Sequence, residues 1–384
     1  MSEVSEVSDA LEDFRTVGKV VERLVKKYNP LLSVVRWQLG LPADEDGVDA
    51  NGKLKSTSYQ TRVASLLMEN QTHYFASLDS GAFEWIEKKI PNFEEILLKE
   101  IGAAVYRSVT VEIFSWQPMQ GPVSSAAYYR QQSVSEPCVV KMAGQLDAIP
   151  EVRLEVAVDR FELQDEGLQP YTDAMVAKSA ETAAIISTKA IDEIISAHGQ
   201  MAAEDLVHML VEEVFTNFER QSIAKLFEDG QLVRKEWWPN IDGSDDEFHT
   251  SMSRIAYLIH KSTGRAPGNC LIVGPEVLVK LKQSPNWTER SDTGLPVRSN
   301  FRLHKVGFYA NKWRVYMDPV LAGRRVVMIY AGPSILDTGA IMAPYVISGA
   351  LVANEASPHQ AEGRFRLRGT TKVVSNRFLQ VFEC

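Results

Sequence analysis

The chain has 384 residues with Lys+Arg 41 against Asp+Glu 50, a formal net charge of −9, and 45% hydrophobic against 24% charged residues. That is enough apolar material to offset the entropy of ordering, so a wholly disordered chain is excluded, and the acidic excess argues against a binder that neutralises nucleic-acid phosphates. No window approaches the ~20 apolar residues of a spanning helix, the first 15 residues are acidic where a signal peptide is basic, and Cys138, Cys270 and Cys384 lie too far apart for a zinc knuckle or disulfide framework, so the chain reads as soluble and non-exported.

Residues 10–37 place Leu11, Phe14, Val17, Val21, Leu24, Val25 and Tyr28 at helical spacing, and Asn29-Pro30 predicts an interruption because proline lacks an N–H. Residues 40–56 read as a polar linker, 59–75 as a helix, and 83–107 as a helix broken near Pro91. This front quarter is expected to be an arm or leader more than part of a core. Val109, Val111 and Ile113 alternate as in a strand. Gln117-Pro118-Met119-Gln120-Gly121-Pro122 then makes a corner, where two prolines deny ladder donors and the glycine permits positive φ. A strand resumes over 126–130, residues 131–150 suit an extended loop, and 151–158 alternates aliphatic and mostly charged residues, as a half-buried antiparallel strand does.

Residues 170–227 are expected to be helical, with a break at His198-Gly199 and an end at Asp229-Gly230. A mixed region follows. It has helices over 248–261 and 276–282, a buried strand over 269–275, and strands over 313–317, 325–330 and 341–346, with closing strands over 365–367 and 373–382. Asp318-Pro319, Gly332-Pro333 and Asp337-Thr338-Gly339 supply the turns between them.

No residue set carries a reaction. His198 and His208 are ten residues apart, and His249 and His260 flank one helix, neither at the i, i+4 spacing of a metal-binding face; all read as surface or helix-end histidines. Val273-Gly274-Pro275 offers one glycine where a dinucleotide cradle wants three, and no serine sits in a Gly-x-Ser-x-Gly elbow. Glu212-Glu213 and Asp245-Asp246-Glu247 read as solvated helix faces or caps. Arg364, Arg366 and Arg368 alternate along a strand and so share one side, which suits an anion contact or, preferred here, an intersubunit salt-bridge row or solvated face. No cofactor and no metal site are expected.

Several segments, taken in order, resemble the major capsid proteins of tailed phages, and within them the T-even myovirus branch. Ile113-Phe114-Ser115-Trp116-Gln117-Pro118-Met119-Gln120-Gly121-Pro122 is similar to that family's strand and Gln-Pro-Met corner. His198-Gly199 with the helix ending Asn217-Phe218-Glu219-Arg220, the stretch Arg265 to Pro275, and Arg314-Val315-Tyr316-Met317-Asp318-Pro319 match in turn. Asp337-Thr338-Gly339-Ala340 leading to Ala343-Pro344-Tyr345-Val346 completes the series. In front, Lys27-Tyr28-Asn29-Pro30-Leu31-Leu32 and Leu67-Met68-Glu69-Asn70-Gln71 resemble elements of the family's leader.

The resemblance implies an α+β capsid (Johnson) fold with N-terminal arm, extended loop, long spine helix, and peripheral and axial domains. Its implied organisation is a leader-like segment over 1–75, an arm over 76–115, peripheral strands over 116–165 with the loop at 131–150, a spine helix pair over 166–230, and an axial domain over 231–384 with strands returning to the peripheral domain. It implies a non-enzymatic subunit of an icosahedral shell, assembling with itself into hexamers and pentamers around double-stranded DNA. Scaffold, portal and prohead protease are the implied partners, with no membrane, in the virion and, during assembly, the host cytoplasm. Leader cleavage would follow an aliphatic-x-Glu pattern, which Glu69 and Glu100 fit. The corner residues Gln117, Pro118, Met119, Gly121 and Pro122, and the turn residues Asp318, Pro319, Pro344 and Tyr345, become assembly candidates. A vertex paralogue, an encapsulin shell and, more distantly, an α/β enzyme are the alternatives. Charge is divided: residues 301–384 carry 11 Lys/Arg and 5 Asp/Glu, a net of +6, leaving 30 against 45 and a net of −15 before them.

Overall fold

The computed structural model describes residues 2–41, 56–77, 84–130, 169–179, 183–289, 302–354 and 357–384. The extended loop at 131–150, the alternating strand at 151–158 and most of the 40–56 linker lie outside them. Helix α1 (Ser2–Gln38) runs through Pro30 without the predicted interruption. Proline inside a helix costs about 3 kcal/mol. Here Tyr28, Leu32 and Val35 around that turn are all buried against the neighbouring helices, and this packing holds the helix continuous. Those neighbours are α2 (Ser56–Ser77) and, after the short α3 (Glu84–Glu87), α4 (Phe93–Arg107). Val63, Ala64, Leu67 and Met68 of α2 join the main core with Leu97, Ile101 and Val105 of α4. Arg36 is buried too, and donates to Thr61 Oγ1 at 3.2 Å and Tyr106 Oη at 3.3 Å. The front quarter is thus part of the core, contrary to its reading as an arm standing outside it.

The predicted strand at 109–113 is instead a 3-10 turn over Thr110–Glu112. Hydroxyl groups drive the difference: Ser108 Oγ accepts from the Thr110 amide, and the Thr110 carbonyl takes the amides of Ile113 and Phe114. Strands begin with β1 (Ser115–Trp116) and β2 (Val123–Arg130). The expectation of helix from residue 170 fails up to 187. Residues there form β3 (Gln169–Val176), β4 (Lys178–Ser179) and β5 (Ala184–Ser187). β3 pairs with β2 antiparallel along its whole length, from Val123 opposite Val176 to Arg130 opposite Gln169, and long-range pairing overrides a weak local helical signal.

Helices α5 (Thr188–His198) and α6 (Gln200–Asp229) follow, separated where expected at Gly199, whose φ of 75° suits a residue without a Cβ. From Leu206 to Leu226 the helix α6 is buried on nearly every side, with Val211, Phe215, Phe218 and Leu226 among the core. The remaining elements are β6 (Gln231–Leu232), α7 (Asp245–Thr263), β7 (Cys270–Val273), α8 (Pro275–Gln283), β8 (Trp287–Glu289), β9 (His304–Tyr309), β10 (Trp313–Met317), β11 (Arg325–Ile329), β12 (Ala340–Asn354), β13 (Ser357–Val373) and β14 (Leu379–Glu383). The two closing strands of the sequence reading are therefore one long strand, a 3-10 turn over Asn376–Phe378, and a short strand.

Two larger sheets hold these strands, while β2 and β3 pair as a separate two-stranded sheet. One is seven-stranded in the order β6-β14-β11-β7-β10-β9-β8, with α7 across it and Phe248 meeting Tyr309 edge-on, ring centroids 5.5 Å apart. The other runs β1-β12-β13-β4, with β5 also paired to β13. Helix α6 bridges them. Phe218 presses on Gly369 of β13, where an added Cβ would lie 2.8 Å from its ring and 2.7 Å from the Ala343 carbonyl, so only glycine fits. Twelve residues further on, at the C-terminal end of the helix, Gly230 lies against Val381 and Leu379 of β14. Among the described residues no helix is long and apolar enough to cross a membrane.

Candidate assembly surfaces

The corner after β1 is held by one side chain. Gln117 Nε2 donates to the Ala127 carbonyl at 2.7 Å and its Oε1 accepts from the Ala127 amide at 2.9 Å, so an amide group substitutes for a neighbouring strand. The Gln117 amide also donates to Met342 O at 2.9 Å, and the Met119 amide to Pro344 O at 2.9 Å. Met119 is buried with Ala126, Tyr128, Met175, Ala177, Ile341 and Ala343 in a second, smaller core. Pro122 O accepts from the Ala177 amide, which ties the corner to the end of β3. Pro118 leaves the ladder without a donor, and Gly121 keeps a φ outside the positive range, so the expected left-handed glycine does not occur here.

Pro344-Tyr345 is a bulge. Pro344 pairs with Gly369 and Val346 with Arg368, which leaves Tyr345 as the extra residue, and a bulge is where a long strand tolerates proline. Beside it, α2 finishes the edge of β12. Asn70 Nδ2 donates to Met119 O at 2.6 Å and to Tyr345 O at 3.3 Å. Gln71 donates to Ile347 O at 3.2 Å and accepts from the Ile347 amide at 2.9 Å. The sequence reading quoted both residues within the leader-like motif, yet gave no role to their amides. Asp318-Pro319 forms a turn in which Asp318 Oδ1 accepts from the Val320 amide at 3.0 Å.

The three arginines of β13 do share one side, with Phe365 and Leu367 buried on the other. Arg368 and Arg366 are half-buried and Arg364 is exposed, donating to Glu362 at 3.4 Å. Arg368 lies nearest α2; burial pushes the Tyr74 phenol up, and the Arg368 charge acts against that rise.

A buried ionic network was not anticipated. Arg302 donates through Nε and Nη2 to Glu219 at 3.0 and 2.6 Å, through Nη1 to Glu212 at 2.9 Å, and through Nη2 to the Ala104 carbonyl at 3.3 Å. Arg107 of α4 donates to Glu212 at 2.7 Å, and Ser108 Oγ to Glu219 at 2.5 Å. Burial raises the Glu212 carboxyl, but Arg302 and Arg107 outweigh it and hold it below its ordinary value. Burial likewise opposes the Arg302 charge, and Glu219 and Glu212 overcome it. Glu212 is therefore not on a solvated face, and His208 is not a surface histidine: it is buried against Glu100. The signal was present as His208, Glu212 and Glu219, which recur on one helical face.

The cleavage candidates both lie within helices. Glu69 of α2 accepts from Tyr28 Oη at 2.6 Å and pairs with Lys27 and His73. Burial raises its carboxyl, and the Lys27 and Tyr28 hydrogen bonds more than reverse this, leaving it lowered. Among the described residues there is no cluster of His, Cys, Asp and Glu able to hold a metal ion.

The family described as "Major capsid protein Gp23" matches residues 172–379. No curated protein matches the chain. Similar solved structures include one titled "Mycobacterium phage Che8", with 15% identity, 68% of this chain and 84% of that chain covered, and a TM-score of 0.37. A virus-like particle from Pyrococcus furiosus has 9% identity, 77% and 98% coverage, and a TM-score of 0.40. The SrpI encapsulin complex from Synechococcus elongatus PCC 7942 has 12% identity, 71% and 86% coverage, and a TM-score of 0.39. The family match spans over half of the chain, including the bridging helix, most of both large sheets, the bulge and the arginine row. The chain belongs to the Gp23 family of tailed-phage major capsid proteins: it is an α+β structural subunit of a viral capsid shell.

Proposed function

We propose that this subunit assembles with itself into hexamers and pentamers, closing an icosahedral shell around double-stranded DNA, with scaffold, portal and a prohead protease as partners in the host cytoplasm. The family match over 172–379 is the observation that carries the reading. Within that role the front helices serve as leader (1–75) and arm (76–115) packed on the core, β1 to β5 belong to the peripheral region, α5 and α6 form the spine, and 231–384 is the axial domain with strands returning to the peripheral region, the loop at 131–150 reaching a neighbour. The subunit has no reaction to catalyse in this role.

Glu69 is the better cleavage candidate, although a cut there divides α2 beside the buried Leu67 and Met68. A cut after Glu69 keeps Asn70 and Gln71, which fasten β12, on the retained side. A cut after Glu100 removes both and divides α4 next to its buried core residues. The Gln117–Pro122 corner, the Asp318-Pro319 turn and the Pro344-Tyr345 bulge shape the surfaces that meet neighbours. The arginine row lies in subunit contacts and the acidic excess faces inward or sits on the leader, so that packaged DNA slides past.

Negative-stain microscopy of the expressed protein tests the reading. Closed shells or tubes with sixfold rings support it, rings of fivefold symmetry alone assign a vertex role, and small discrete particles overturn it. Deleting 131–150 is expected to abolish assembly; normal shell yield refutes the loop's role.

A further inference from the structure

We propose that the edge of β12 beyond Ile347 accepts a strand from a second copy of this chain, so that an intersubunit sheet forms along residues 349–353. The proposal rests on the shell reading and adds where one copy holds another.

Along its first half this edge is fully matched. β1 pairs with Ile341 and Met342, the corner follows with bonds to Met342 O and Pro344 O, Asn70 takes Tyr345 O, and Gln71 takes both backbone groups of Ile347. The two-residue period of a strand then turns the backbone groups of Gly349, Leu351 and Ala353 the same way as those of Ile347. Ser348, Ala350 and Val352 face β13 instead, opposite Arg366, Arg364 and Glu362. Among the described residues β12 pairs only with β1 and β13, so no described strand meets the outward groups beyond Ile347. At the same level the other side of the ladder is closed, since β5 pairs with Glu362 through Phe365.

An edge of this kind is a template for association, and proteins that keep one free usually blunt it with lysine, proline or inward charge. Ile347-Ser348-Gly349-Ala350-Leu351-Val352-Ala353 contains none of these. Three outward residues offer up to six main-chain hydrogen bonds over about 17 Å, the scale of recognition by strand addition. Charge indicates the occupant. Arg364 and Arg366 stand opposite Ala350 and Ser348, with Arg368 beyond them and Glu362, opposite Val352, paired to Arg364, so three arginines against one carboxylate leave the flanking face net basic, while the chain's own first 300 residues carry a net of −15. A strand from that acidic part of a second copy brings carboxylates to the row.

The test substitutes proline where only the outward N–H is lost: Leu351→Pro and Ala353→Pro, with Val352→Pro as the control that breaks the bond to β13. Assembly is read by sedimentation and negative stain, and folding by melting of the unassembled subunit. The outward variants are expected to melt close to the parent and to lose at least tenfold in assembled fraction, while Val352→Pro lowers the melting temperature. Parent-level assembly by either folded outward variant overturns the proposal. If the parent itself forms no shell, the shell reading fails instead. Should the variants not fold, hydrogen exchange on the parent decides: the amides of Gly349, Leu351 and Ala353 must exchange fast in the free subunit and slowly in the shell. Protection already present in the free subunit means that the chain covers its own edge, and protection absent from the shell means that nothing docks there; both overturn it.

Discussion

Arg302→Met is the perturbation that probes the core most directly. The guanidinium makes four hydrogen bonds, two to Glu219, one to Glu212 and one to Ala104 O, with only 4% of its side chain exposed. The Glu219 and Glu212 side chains are 2% and 8% exposed. Methionine fills much of the volume but leaves Glu219 with only hydroxyl donors, Ser108 at 2.5 Å and Thr110 at 3.5 Å, while Glu212 keeps Arg107. Removing one partner of a buried pair costs about 3–5 kcal/mol, and most of it here falls on Glu219. Arg302→Lys keeps the charge and loses the fork to Glu219, so it should fall between parent and methionine. Denaturant unfolding of the unassembled subunit measures both, with an unchanged m-value required for the comparison. The methionine penalty should shrink as pH falls, because Arg302 is one of the charges that hold the Glu212 carboxyl below its ordinary value, and that stabilisation is lost once Glu212 is protonated. A loss below about 1 kcal/mol, the scale of an exposed pair, or a loss that does not depend on pH, would refute this account of the network.

Three further outcomes follow from the same geometry. Gln71→Leu strips both partners from the buried Ile347 backbone and should destabilise by about 2–4 kcal/mol, with faster amide exchange at Ile347 as its local signature. Gly369→Ala forces a methyl against Phe218 and the Ala343 carbonyl and should cost about 1–3 kcal/mol, read as a lower denaturant midpoint. Glu212 has its folded pKa depressed, so it stabilises above its ordinary value of about 4.3 and loses that stabilisation as pH falls through the folded value. Glu212→Gln should therefore lower stability near neutrality and flatten the acid limb of the melting curve below about pH 5.

The sequence readings that hold are those whose cause is local. The Gly199 break, the end at Gly230, the helix over Asp245–Thr263 and the strands β7, β10 and β11 each depend on a periodicity or a backbone-permissive residue, whereas the sequence reading omits β6, β8 and β9 of the same sheet. Those that fail depend on distant partners. Pro30 stays helical because α2 and α4 pack on its turn, and β3, β4 and β5 are extended because β2 and β13 lie beside them. The corner at Gln117 was legible as a corner, but its fastening to Ala127 was not, since an amide that mimics a strand has no pattern along the chain. The ionic network joins α4, α6 and Arg302, two residues before β9, and only the spacing of His208, Glu212 and Glu219 hinted at it.

Helix α6 has a mechanical consequence. Thirty residues of helix span about 45 Å; the C-terminal end is seated on one sheet at Gly230, and Phe218, twelve residues earlier and about 18 Å away along the axis, is seated on the other at Gly369, so the N-terminal turns project beyond both seats. Because its sides are gripped nearly all round, the helix resists bending and acts as a lever. A tilt of one degree about the Gly230 seat carries the N-terminal end through about 0.8 Å, given that length. Small rotations at one rim of the subunit are therefore passed, enlarged and undamped, to the other. The stiffness of this single rod sets how far neighbouring copies can change their mutual angle before a sheet must yield.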